Sequence, residues 1–177
     1  MTQIKRIRKI VLSGLLITGV ATLAATYFII DYNESSIEKE SRENLALLFP
    51  YPDPDNTQQV QLGQQLYAHE CATCHGSNLE GEPNWRSQLQ DGSLPAPPHN
   101  ETGHTWHHPD DVLLQITKYG GASVAPKGFA SRMPAFEGTL SNEDISATLA
   151  FIKSRWPKEV RMRQQRITTK INQAISE

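Results

Sequence analysis

A chain of 177 residues with 38% hydrophobic and 20% charged side chains and a net charge of −2 is neither collagen-like nor wholly disordered, and its balance implies no nucleic-acid partner. Its two cysteines, Cys71 and Cys74, exclude a multi-disulfide scaffold. The near-neutral total hides a division: residues 1–30 carry +4, 31–44 carry −3, 45–157 carry −6 and 158–177 carry +3, so an acidic body lies between two basic ends.

In chain order, residues 10–30 contain no charge, and as a helix they would reach roughly 31 Å, about the hydrocarbon thickness of a bilayer. The apolar stretch of a cleaved secretory signal is only about 7 to 15 residues long, whereas here Tyr27, Phe28, Ile29 and Ile30 continue past Ala21, Ala24 and Ala25. Residues 1–30 therefore read as an uncleaved transmembrane helix that ties the chain to a lipid bilayer. Lys5, Arg6, Arg8 and Lys9 keep the N-terminus cytoplasmic and put the rest of the chain on the exported face, periplasmic in a bacterial cell. Residues 31–55 form an acidic stalk, with a possible helix over 37–48, and a stiff linker, Pro50-Tyr51-Pro52-Asp53-Pro54, that no helix can cross.

A globular domain is expected over 56–157. Asn56, with Gln59 as its capping partner, opens a helix in which Val60, Gly63 and Tyr67 share a face, and this helix runs into the cysteines. Residues 76–107, rich in Gly, Pro, Asn and Ser, read as a long irregular segment of the kind that a ligand organises. A second helix is placed with Pro109 as its first residue, Asp110 and Asp111 in its first turn and a stop at Gly120-Gly121. A third starts at Ser141 with Asp144 three residues on, stacks Ile145, Leu149 and Ile152, and ends before Pro157. No period-two strand pattern persists, so the fold class is all-α. Residues 158–177 are expected to be a solvated basic tail; Arg161, Arg163, Arg166 and Lys170 with Ile167, Ile171 and Ile175 four apart give a weaker alternative, an amphipathic helix against a partner or anionic lipid.

The chemistry sits in Cys71-Ala72-Thr73-Cys74-His75. This spacing is that of a haem c attachment site: on one helical turn both thiols reach the vinyl groups of a porphyrin while the imidazole faces the iron. A thioredoxin-like dithiol calls for a preceding strand, a structural zinc site for four ligands, and a disulfide across two residues leaves His75 without a role. A second axial donor is then needed. Of the three methionines, Met1 precedes the apolar run and Met162 lies in the basic end, which leaves Met133 in Arg132-Met133-Pro134.

This order of features resembles the class I c-type cytochromes: a helix with Gly63 and Tyr67, Cys71-x-x-Cys74-His75, a Gly/Pro-rich loop, Met133-Pro134 and a closing helix with Phe151. The resemblance covers about residues 56–157. It implies a small helical domain wrapped around one covalently attached haem c, with the first and last helices crossing near Gly63 and Phe151. Cys71 and Cys74 would carry the haem, and His75 and Met133 would be its proximal and distal iron ligands. It further implies that a proline carbonyl, from Pro95, Pro97 or Pro98, accepts the proximal histidine's Nδ1–H.

The loop also carries His99, His104, His107 and His108. Their bland assignment is that His107 and His108 cap the helix at Pro109 while the others face water or a haem propionate. The sharper one is a second metal such as copper or zinc, or a histidine in place of Met133. Trp85, Trp106 and Trp156 are expected to pack on haem or helices. The function implied is that of a single-electron carrier, without a catalytic residue or small-molecule substrate, exchanging electrons with membrane-bound or periplasmic redox proteins. The alternatives are a haem-based sensor, a copper-handling protein using residues 99–108, or a fixed subunit of an oxidoreductase complex.

Overall fold

A computed structural model of the chain describes residues 49–176. The predicted membrane span and stalk helix lie outside the described residues. Among those described there is no strand, and no helix is long and apolar enough to cross a membrane.

Helix α1 (Thr57–Leu66) begins where the sequence places it. Asn56 Oδ1 accepts from the backbone N–H groups of Gln58 and Gln59, both at 3.1 Å, satisfying two donors that the first turn leaves over. Gln59 does not return the cap. Its side chain accepts from Asp53 N at 2.8 Å and donates to the Tyr51 carbonyl at 3.1 Å, pinning the proline-rich linker to the helix start. A π-helical turn, Tyr67–Cys71, separates α1 from the short helix α2 (Ala72–His75), and this extra residue in the winding re-aims the cysteine motif relative to α1.

Helix α3 (Asp110–Tyr119) starts one residue later than expected, because Pro109, with ψ at 161°, is the extended residue in front of the helix. Its cap is not His107 or His108 either. The Asp110 N–H donates to Thr168 Oγ1 at 3.1 Å, a group 58 residues further along the chain. Helix α4 (Asn142–Ser154) has the reciprocal cap expected: Ser141 Oγ accepts from Asp144 N at 3.1 Å, and Ser141 N donates to the Asp144 carboxylate at 3.0 Å.

The residues taken for a solvated tail form helix α5 (Lys158–Ser176) packed on the domain. Gln164 is fully buried and Thr168 nearly so. Gln164 Nε2 donates to Asp110 Oδ1 at 2.7 Å and to the His108 carbonyl at 3.2 Å. Asp110 in turn holds Lys153 of α4 through both carboxylate oxygens, at 3.0 and 2.9 Å, with both side chains less than a tenth exposed. Three helices thus meet at one buried charge pair. The expectation failed because α5 turns polar side chains inward, whereas sequence periodicity detects only apolar stripes.

The core lies where α1 crosses α4. A Cβ at Gly63 would overlap the Ala147 carbonyl and come within 3.0 Å of Phe151 Cβ, so only glycine lets the two backbones approach this closely. One turn on, the Tyr67 ring packs on Phe151 with centroids 5.4 Å apart. Ile145, Leu149 and Ile152 complete the buried face of α4, and Trp156, just past its end, joins them in the core. Burial of each such side chain contributes about 2 kcal/mol.

Candidate functional site

The turn Cys71-x-x-Cys74-His75 carries two thiols and an imidazole, Cys71 just before α2 and Cys74 and His75 at its end. Cys74 is exposed and Cys71 half-buried, and neither is in a disulfide. Burial first, then the Glu70 carboxylate and Cys74, push the Cys71 thiol up to about 12, so it stays protonated at neutral pH. Burial holds the His75 imidazole below its ordinary range, with the Pro97 carbonyl and Glu82 opposing that shift.

Beyond His75 the chain folds back on itself. Tyr67 Oη donates to the Gly76 carbonyl at 2.9 Å and Gly81 N to the His75 carbonyl at 2.8 Å. Glu82 closes the return: its N–H donates to the Ala96 carbonyl at 2.8 Å, and its carboxylate accepts from Ala96 N at 2.6 Å. A side chain at Gly81 would run into the Pro97–Pro98 backbone, so glycine is needed where the two strands of chain touch. The result is that the Pro97 carbonyl, 22 residues from His75, accepts from its Nδ1 at 2.8 Å. Of the three candidate prolines, Pro97 makes the contact. With Nδ1 as donor, Nε2 becomes the basic nitrogen of a neutral ring, the state in which imidazole binds a metal.

Met133 is half-buried on the segment between α3 and α4. Its N–H donates to Ser131 Oγ at 3.2 Å, and its carbonyl accepts from Gly121 N at 3.3 Å. Residues 136 and 137 then bond back to Lys118 at the end of α3. No hydrogen bond joins Met133 to His75 among the described residues. Arg132, next to Met133, reaches the Glu82 carboxylate at 3.7 Å, and Glu82 pairs with Ala96 beside Pro97.

The chain belongs to the cytochrome c family. The sequence profile of the family described as Cytochrome c matches residues 60–156, more than half of the chain. Comparison with curated proteins and with solved structures gave no significant match. Membership makes this a c-type cytochrome, an electron carrier with covalently attached haem c and its iron. The donor set fits that cofactor: two unbridged thiols on one turn, followed by a neutral histidine whose Nδ1 is already engaged.

The histidine loop of this cytochrome does not converge on a metal site. Among the described residues, no group of three or more His, Cys, Asp or Glu is placed to hold one. His104 stacks on Trp85 with centroids 5.5 Å apart, His107 tilts onto Trp106 at 3.7 Å, and His108 meets His104 edge-on. Arg163 of α5 covers the Trp106 ring at 4.8 Å. Trp156 is a core residue whose Nε1 donates to the His99 carbonyl at 2.6 Å. His99 is the loop position whose placement the sequence did not give. It is partly buried and stacks on His75, at 3.9 Å between centroids. Its one signal in the sequence is its place two residues after Pro97.

Proposed function

We propose that this cytochrome is a membrane-tethered carrier in which Cys71 and Cys74 form the thioether links, and His75 and Met133 are the axial donors to the haem iron. The observation that carries this reading is the 2.8 Å contact from His75 Nδ1 to the Pro97 carbonyl, which leaves Nε2 as the unengaged nitrogen of a motif that also bears two thiols. Haem c supplies the reversible ferrous–ferric couple. The protein's part is to hold the donors still. Pro97 fixes the tautomer of His75, the α1–α4 crossing at Gly63 anchors the turn that bears it, and Ser131 and Gly121 hold the backbone of Met133. With His75 and Met133 both donating to it, the iron would have no open position for a substrate.

Residues 1–30 act as the tether and place the haem domain on the exported face, next to membrane-bound redox partners whose effective concentration the tether raises. The acidic body over 45–157 steers the domain toward basic patches on those partners, an effect that weakens with salt. Three measurements test the reading. Met133→Ala should abolish the sulfur-to-iron charge-transfer band of the ferric protein while haem stays attached; an unchanged spectrum removes Met133 as ligand. Cys71→Ser with Cys74→Ser should lose the haem that survives denaturing electrophoresis. Ready uptake of carbon monoxide by the ferrous protein at neutral pH would instead favour a sensor with an open iron position.

A further inference from the structure

We infer that His99 is a positioning residue for His75: stacked face to face on that imidazole, with 3.9 Å between centroids and 23° between planes, it fixes the plane in which His75 presents Nε2. The inference rests on His75 being an axial donor, as proposed above.

The Pro97 carbonyl meets the His75 ring at one atom, Nδ1. Together with the Cβ–Cγ bond, that contact sets the ring's approximate orientation, but a single hydrogen bond tolerates a range of angles and so leaves some freedom of tilt. A flat partner against the face removes this freedom, provided the partner is itself fixed. His99 is held at four points. Its backbone N–H donates to the Leu79 carbonyl at 2.9 Å, and its carbonyl accepts from Trp156 Nε1 at 2.6 Å. Its ring Nδ1 lies 2.8 Å from Thr105 Oγ1, and its edge faces the Tyr67 ring at 6.3 Å and 73°. Leu79, Thr105, Tyr67 and Trp156 are all buried, so none of these anchors swings with solvent.

The anchors also come from separate parts of the fold. Leu79 follows the cysteine motif, Tyr67 precedes it, Thr105 closes the irregular loop and Trp156 follows α4. The orientation of one ring is thereby tied to the packing of the whole domain. The other loop histidines pair with tryptophans or with each other, which leaves His99 as the loop imidazole in ring contact with His75. The plane of an axial imidazole governs how unpaired spin in a low-spin ferric haem is shared around the macrocycle. The order and spread of the shifted haem methyl proton resonances report that plane, whereas overall stability does not.

The test compares the ferric, detergent-solubilised full chain with its His99→Leu, His99→Phe, Thr105→Val and His75→Ala variants by proton NMR and optical spectroscopy. His99→Leu is expected to keep attached haem and a low-spin spectrum but to reorder the methyl resonances. His99→Phe, which restores a flat ring, should return the pattern toward that of the native protein, and Thr105→Val, which frees the stacked ring, should shift it partway. A native pattern in His99→Leu overturns the inference. If that variant does not fold, a native pattern in Thr105→Val overturns it. A native low-spin spectrum in His75→Ala would overturn the axial assignment itself, a separate failure.

Discussion

The two proposed axial donors stand on very different supports. His75 is buried and sits on a turn wound directly onto α1, and it is reached by Pro97 on its edge and His99 on its face. Met133 is half-buried on an irregular segment between α3 and α4, held through its backbone by Ser131 and Gly121, with exposed Val124 and Phe129 nearby in the chain. The proximal side is part of the helical frame, and the distal side is a strap laid against it. Opening of such a domain should therefore begin at the strap, where few side chains are buried and local stability is low.

The largest test strikes the frame. Lys153→Met leaves the Asp110 carboxylate buried among α3, α4 and α5 without its charge partner, and should cost about 3–5 kcal/mol in denaturant unfolding. Removing both charges, Lys153→Met with Asp110→Asn, should recover most of that loss. A loss under about 1 kcal/mol for the single variant, the size seen for exposed pairs, would show that the pair is not desolvated and that α5 is not part of the frame.

Next in size is Gly63→Ala. Helix propensity alone would make this change stabilising by about 1 kcal/mol, but the new methyl group has to push α1 away from the Ala147 carbonyl. A net loss of roughly 2 kcal/mol is expected from the forced separation. A net gain would mean that the crossing has slack.

On the strap, Ser131→Ala removes the acceptor for the Met133 N–H and should cost about 1 kcal/mol or less. Its signature is spectroscopic: the methionine charge-transfer band should weaken or broaden while haem attachment is untouched. Equal stability losses in Ser131→Ala and Gly63→Ala would erase the distinction between frame and strap.

The smallest effect concerns pH. Desolvation, then His108, His107 and Arg86, hold His104 below the ordinary imidazole range; desolvation, then His107, does the same for His108. The unfolded chain, with imidazoles titrating near about 6.5, then binds more protons than the folded one. Stability must rise with pH across that window and fall as pH drops from 7.5 toward 5.5. Melting temperatures measured over this range should show the slope, and His104→Gln with His108→Gln should reduce it, leaving the part due to His99, which burial holds well below that range. A slope unchanged by the double substitution would place the responsible groups elsewhere.

Much of the frame could be read before any coordinates. Asn56 and Ser141 cap helices because a short polar side chain, followed by residues that propagate a helix, satisfies backbone donors two or three positions away. The Cys71-x-x-Cys74-His75 turn is legible for the same reason, since spacing along a helix determines which side chains share a face, whereas the glycine at the α1–α4 crossing was legible only through the family resemblance. Where a long-range group intervened, the reading slipped. The α3 cap belongs to Thr168 rather than to a neighbouring histidine, and α5 docks through Gln164, a polar residue that no apolar stripe announces.

By itself the sequence determined the helices, the attachment turn and the family, because each is written in contacts no more than a turn or two long. Only the tertiary structure decided which of Pro95, Pro97 and Pro98 reaches His75, that His99 lies on its face, and that the basic C-terminal end is a buried-side helix. Those outcomes depend on loop closure across 22 to 58 residues. Over such distances residues of the same type are chemically equivalent candidates, and packing chooses among them.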